Sequence, residues 1–177
     1  MPYQLIDGTV TTPQGFTAAG ICCSIKPNNH TKRDLMLLAC DVPCSAAGVY
    51  TQNLVKSSAV LVTQEHLKNG RAQAVIANSG NANTCNADGM EKANRMCEIA
   101  AEKLQIVPED VIVASTGVIG QVLPIEPIEN KADELFAHLS KAGGTDAAEA
   151  IMTTDTVKKE AAAVLTLDGK TVTIGGI

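Results

Sequence analysis

Aromatic residues are nearly missing, at 2% of the 177 residues: two Phe, two Tyr and no Trp. A reader of single-stranded nucleic acid needs aromatic platforms on which bases stack, and this chain has almost none. An excess of basic charge is missing too. Against 14 Lys and Arg stand 19 Asp and Glu, for a formal net charge of −5. That leaves no electrostatic footprint for nucleic acid or for an anionic membrane. No apolar run approaches the roughly 20 residues of a membrane span. Met1-Pro2-Tyr3-Gln4-Leu5-Ile6-Asp7 carries neither a basic region nor an apolar stretch, so it does not read as a secretion signal. A cytoplasmic protein is the expectation.

Several familiar site motifs are lacking as well. The chain has no Gly-x-x-x-x-Gly-Lys-Ser/Thr phosphate loop, no Gly-x-Gly-x-x-Gly, no Gly-x-Ser-x-Gly elbow and no His-Glu-x-x-His zinc helix. Its six cysteines are Cys22, Cys23, Cys40, Cys44, Cys85 and Cys97. Their spacing suits neither zinc nor a secreted disulfide framework, so they read as small buried hydrophobes in a reduced chain. His30, His66 and His138 are scattered, and a structural role is expected for each. No metal site is expected.

What is present is a 45% hydrophobic composition built on small and aliphatic residues, enough for one globular domain over residues 1–177. The pattern alternates short apolar strands with a few helices. Thr17–Ile25, Asp34–Ala39, Ala59–Thr63, Gln73–Ala77 and Val111–Ala114 have buried-strand length. From Asp88 to Leu104, the residues Ala93, Met96, Cys97, Ala100 and Leu104 recur at three and four, an amphipathic helix that Asn86 or Asp88 can cap. A second helix is read from about Glu126 to Lys141 through Ala132, Leu135, Phe136 and Leu139, with Gly143-Gly144 as its stop. Thr145 can cap a third through Met152. Ala161–Leu167 and Thr171–Ile174 flank Asp168-Gly169, a hairpin turn signal. The chain stops just past that hairpin, at Gly175-Gly176-Ile177, without the look of a natural terminus. The expectation is that something is missing, or that another chain continues the fold.

Three polar segments follow apolar strands. Asn78-Ser79-Gly80-Asn81-Ala82-Asn83-Thr84 is rich in residues that tolerate left-handed backbone, which suits an irregular turn or a donor-rich loop. In Ser115-Thr116-Gly117 a hydroxyl beside a glycine amide can aim two donors at one oxygen, as an oxyanion hole requires, although such a pair alone also describes an ordinary turn. In Thr153-Thr154-Asp155-Thr156 clustered hydroxyls can cap the chain or bind a polar substrate.

In order, these segments resemble the N-terminal half of the ornithine acetyltransferase family of arginine biosynthesis. The resemblance starts at Gly8–Gly20, with Pro13-Gln14-Gly15-Phe16-Thr17-Ala18-Ala19-Gly20. It continues through Asp41-Val42-Pro43-Cys44-Ser45-Ala46-Ala47-Gly48-Val49-Tyr50, Thr51-x-Asn53 and Lys56. It then takes in Asn78–Asn83, Ser115-Thr116-Gly117-Val118-Ile119-Gly120 and Met152-Thr153-Thr154-Asp155-Thr156. One departure is Ser24 before Ile25-Lys26, where the family usually has Gly.

The resemblance implies a layered α/β sandwich, like N-terminal-nucleophile enzymes in its logic. It implies transfer of acetyl from N2-acetylornithine to L-glutamate, with acetyl-CoA as a further substrate in some members and no cofactor. It implies self-cleavage at a Met-Ala-Thr sequence beyond Ile177. The new N-terminal Thr would then be the nucleophile, at the head of a β chain that joins this α chain in an α2β2 heterotetramer. This chain alone would be inactive. By motif, Thr116 and Gly117 are the oxyanion hole and Thr153 binds substrate. Asn78, Asn81 and Asn83 are expected near the site without an assigned role, and Asp41 and Lys56 are left unassigned. Alternatives are a paralogue or N-terminal-nucleophile hydrolase of a secondary pathway, and a non-catalytic small-molecule-binding domain.

Overall fold

The computed structural model describes residues 3–177. Two sheets organise them. In the larger sheet β2 (Phe16–Ile21), β3 (Leu35–Ser45), β4 (Arg71–Asn81) and β5 (Val111–Val118) lie in that order. The first two pairings are antiparallel and β4–β5 is parallel. The smaller antiparallel sheet orders β1 (Tyr3–Ile6), β6 (Ala161–Leu167) and β7 (Lys170–Gly176), the last two joined by the expected Asp168-Gly169 turn.

Side-chain alternation along the strands gives the larger sheet two buried faces. Leu35, Leu37, Ile76, Val111 and Val113 point to one core, with Ala59 and Val62 of α1 (Ser58–His66), Met96 and Cys97 of α2 (Gly89–Leu104), and Ile128 and Leu135 of α3 (Glu126–Ala137). Met36 and Ala77 point the other way, to Ala147 and Ala150 of α4 (Gly144–Ala150). The layered α/β sandwich is therefore present, three helices on one face and one on the other. None of the described helices is long and apolar enough to cross a membrane.

Several local expectations change. Ala59–Thr63 reads as a strand but is the body of α1. Ser57 caps it by accepting from Val60 N at 3.2 Å, and Ala59, Val62 and Thr63 are buried at helical spacing. A five-residue β-branched run is too short to show that period. β2 ends at Ile21 rather than Ile25, because a turn at 22–33 leads into β3. α3 ends at Ala137, not Lys141. Ser140 leaves it to exchange two 3.0 Å backbone hydrogen bonds with Ala18, covering the free edge of β2.

Gly143-Gly144 does more than stop α3. Gly143 sits at the N-cap of α4, no side chain caps that helix, and Thr145 lies within it. A Cβ on Gly143 would collide with the carbonyl of Ala18, and one on Gly20 with that of Asp146. The glycines let α4 lie almost against the backbone of β2. Asp88 stands at the N-cap position of α2 without a capping side-chain bond, and Asn86 bonds to Asn83 instead.

Candidate functional site

The parallel pair β4–β5 places the polar segments side by side. Asn78 stands opposite Ser115, Ser79 opposite Thr116, Gly80 opposite Gly117 and Asn81 opposite Val118. Residues expected in loops are thus the carboxyl-terminal ends of two strands, the end of an α/β sheet at which ligands bind.

β5 is an edge strand, and α1 covers only its first half. Thr63 Oγ1 donates to Val113 O at 2.7 Å and accepts from Val113 N at 3.1 Å, while the His66 ring bonds Val111 O at 2.8 Å. A strand residue sends its N–H and C=O to the same side, alternating along the chain. Since Val113 faces away from β4, so does Gly117. Val118 O accordingly turns back to accept from Ala82 N at 2.9 Å. The Gly117 amide is left on the open edge of the sheet, and Gly117 is exposed.

The Thr116 side chain lies on the α4 side of the sheet. It is half-buried and makes no side-chain hydrogen bond among the described residues. With Met36, Leu38, Ala77, Ile151 and Ile177 it lines a groove of about 400 Å³. Thr116 and Gly117 thus place a hydroxyl on the α4 face and an amide at the open edge of the same strand end.

The asparagines form a different kind of structure. Asn78 and Asn83 are fully buried and Asn81 nearly so. Asn78 Nδ2 donates to Asn81 O at 2.9 Å and its Oδ1 accepts from Ser115 Oγ at 2.7 Å. Asn81 Nδ2 donates to Gln121 O and Val122 O at 3.2 and 3.1 Å, and Asn83 Nδ2 to Gly89 O at 2.9 Å. Their groups satisfy neighbouring backbone and brace the two strand ends, so they shape the site rather than present donors to it.

Thr153 follows α4 on the same side of the sheet as Thr116, but lines a neighbouring cavity of about 210 Å³ with Lys26, Lys32, Ser79 and Gly80. Lys32 Nζ donates to Met152 O at 2.8 Å and to Thr153 O at 3.4 Å, holding this segment down. Arg33 helps by pairing with Asp146 at 3.0 Å and Glu149 at 2.6 Å. Asp155 accepts from Thr153 N at 3.4 Å, and Lys159 bound to Asp155 holds that carboxyl below the usual range. Ser79 belongs to the polar segment at the end of β4, but Lys26 and Lys32 carry no site signal in the sequence, because no spacing ties the β2–β3 turn to that strand end. Asp41 and Lys56 line neither cavity.

Among the described residues no three of His, Cys, Asp and Glu gather as a metal-ligand set. Cys23, Cys40 and Cys97 are buried, whereas Cys22 and Cys44 are half-buried and Cys85 is exposed, so the expectation of buried hydrophobes holds for three of the six. Burial pushes the Cys23 and Cys97 thiols up to about 12.

Fold and site together define an α/β chain that gathers a small-molecule-sized polar site at the ends of a parallel strand pair. The model of the ArgJ family matches residues 17–177, and the chain belongs to that family. The arginine biosynthesis bifunctional protein ArgJ of Symbiobacterium thermophilum is 54% identical over 175 residues, which are 98% of this chain and 44% of that protein. Its counterpart in Caldanaerobacter subterraneus is 42% identical over 98% of this chain and 42% of its own length. The chain thus spans less than half of these curated relatives. A crystal structure of ArgJ from Bacillus halodurans superposes with a TM-score of 0.91 at 39% identity, covering 99% of this chain and 92% of that one. The ornithine acetyltransferase of Mycobacterium tuberculosis, crystallised with ornithine, gives 0.89 at 37% identity, covering 98% and 94%.

Proposed function

We propose that this chain is the α chain of a glutamate N-acetyltransferase. It would work with a second chain to move acetyl from N2-acetylornithine to L-glutamate in arginine biosynthesis. The observation that carries this is the 0.89 superposition on an ornithine acetyltransferase over 94% of the latter's chain. A chain of this length is almost fully matched in two solved relatives, while the curated relatives are over twice as long. That supports a precursor cut into two. The smaller sheet supports a partner as well, since it leaves Tyr3, Leu5 and Ile174 exposed by more than half. An α2β2 assembly is the form proposed, and the cytoplasm its place.

In this reading the β chain begins with Thr. Its hydroxyl attacks the acetyl carbonyl while its α-amine, with an ordinary pKa near 8, accepts the proton. The tetrahedral oxyanion lies between Thr116 Oγ1 and the Gly117 amide. The C–N bond breaks, the amine leaves with a proton, and acetyl remains on Thr as an ester. The amine of glutamate then attacks that ester and frees the hydroxyl. Thr153 binds substrate from the neighbouring cavity. No cofactor enters these steps. For some members of the family the resemblance implies acetyl-CoA as a further donor to the same Thr.

The test is an intact-mass spectrum of the full-length gene product under denaturing conditions, followed by transfer of labelled acetyl from N2-acetylornithine to glutamate. Two chains, the second starting with Thr, and labelled acetylglutamate are expected. A single uncut chain, or two chains that transfer nothing, would overturn the proposal.

A further inference from the structure

The geometry points to Lys26 as an anion subsite: its ammonium binds the α-carboxylate of the amino-acid substrate in the cavity it shares with Ser79 and Thr153, the substrate's identity resting on the acetyltransferase reading above.

The turn that carries Lys26 is fixed from inside. The Asp34 carboxylate is 3% exposed and accepts from Cys23 N at 2.6 Å, Ile25 N at 2.8 Å and Asn29 Nδ2 at 2.7 Å. Asn29 also bonds Lys32 through both its amide groups, at 2.8 and 3.0 Å. Lys26 stands on the resulting arch and is exposed. Its stem lies across β4: a Cβ built on Gly80 would be 3.3 Å from its Cγ and 3.6 Å from its Cε. The missing Gly80 side chain gives the lysine its path over the strand.

The other charged groups around the cavity are already engaged in hydrogen bonds or ion pairs, although Lys32, like Lys26, has no carboxylate partner among the described residues. Asp34 already accepts three N–H bonds and Lys32 already donates to Met152 O and Thr153 O. Glu149 pairs with Arg33 and Lys158, and Asp155 with Lys159. Lys26 makes no ion pair and no side-chain hydrogen bond among the described residues. One uncommitted cation beside the Ser79 and Thr153 residues suits a carboxylate.

Distance favours the same assignment. Ser79 stands directly opposite Thr116, and neighbouring strands lie about 4.8 Å apart. In N2-acetylornithine the acetyl carbonyl carbon and the carboxyl carbon are separated by the α-nitrogen and Cα, roughly 3–4 Å. A carboxylate on the Ser79 side therefore leaves the acyl carbon on the Thr116 side. Glutamate brings its α-amine to the acyl-enzyme with its own α-carboxylate in the same relation, so one subsite serves both substrates.

The full-length, two-chain enzyme is the material for the test. Lys26→Gln is expected to raise KM for N2-acetyl-L-ornithine about tenfold, and Lys26→Arg to recover most of it. The α-carboxamide analogue is expected to be used equally by wild type and Lys26→Gln. An unchanged KM, or equal losses with acid and carboxamide, would overturn the subsite. A second measurement needs no variant. L-glutamate is expected to slow reductive methylation of Lys26 in the wild type, read by mass spectrometry, while leaving Lys68 unaffected. Lack of protection would overturn the proposal. Protection without acetyl transfer would uphold the anion subsite and sink the acetyltransferase reading. Transfer without protection would do the reverse.

Discussion

Gly117 of β5 presses against Gly80 of β4 so closely that a Cβ on Gly117 would collide with the Gly80 carbonyl carbon. That Cβ would also lie 2.6 Å from Asn81 N and 2.8 Å from Gly80 Cα. Both residues have left-handed backbone, with φ of 135° at Gly117 and 98° at Gly80. Two glycines thus meet where the parallel pair ends, and the approach aims the Gly117 amide.

Gly117→Ala is expected to fail structurally before it fails chemically. Backbone strain of about 1–3 kcal/mol adds to a clash with atoms that cannot swing aside. The full-length variant should accumulate poorly as soluble protein, or melt several degrees below wild type, by differential scanning fluorimetry. An unchanged melting temperature would mean that β4 can move away from β5.

Thr116→Ala removes a half-buried hydroxyl that no described residue uses, so folding should be little affected. In the full-length, two-chain enzyme kcat should fall by about 100–1,000-fold, the usual consequence of losing one oxyanion donor. KM for acetylornithine should change much less. A rise in KM with unchanged kcat would make Thr116 a binding residue instead.

Ser24 has φ of 61°, in the region where glycine is free of strain, and it stands where the ornithine acetyltransferase family usually has glycine. Relief of that strain outweighs the added freedom of the unfolded chain. Ser24→Gly should stabilise the protein by about 0.5–1 kcal/mol, read as a shift in the urea midpoint. A loss of stability would mean that its hydroxyl contact with Cys22, at 3.9 Å, matters more than the backbone.

Cys23 and Cys97 predict a loss of stability in alkali. Their folded pKa values, near 12, exceed the ordinary 9.0. Below pH 9 both states hold the proton, and the contribution to stability is complete. As pH rises from 9 towards 12 the unfolded thiols ionise first, so unfolding releases protons and stability falls. Each thiol adds a slope of about 1.4 kcal/mol per pH unit within that window. Urea midpoints at pH 8 and pH 10.5 in reducing buffer should fall less steeply for Cys97→Ala than for wild type. Equal slopes would show that Cys97 ionises as readily folded as unfolded.

Much of the fold was legible in local pattern. The α2 stripe of Ala93, Met96, Cys97 and Ala100, the Asp168-Gly169 hairpin and the apolar cores of β3, β4 and β5 all appear where their residues recur. Thr116-Gly117 and Thr153 were legible as motifs because each is a short run of adjacent residues.

What the chain determined by itself was periodicity, turn chemistry and membership of a family, all properties of residues near one another in sequence. Tertiary structure decided the rest. It made Ala59–Thr63 helical, and Thr63 there reaches the backbone of Val113 on the β5 edge. It drew Asn78, Ser115 and Thr116 out of supposed loops into paired strands, since parallel pairing extends the ladder beyond the apolar core. It also laid Lys26 across Gly80 beside Thr153. Those three residues are remote in sequence, and only the packing of α4 against the sheet and the turn held by Asp34 put them around one cavity.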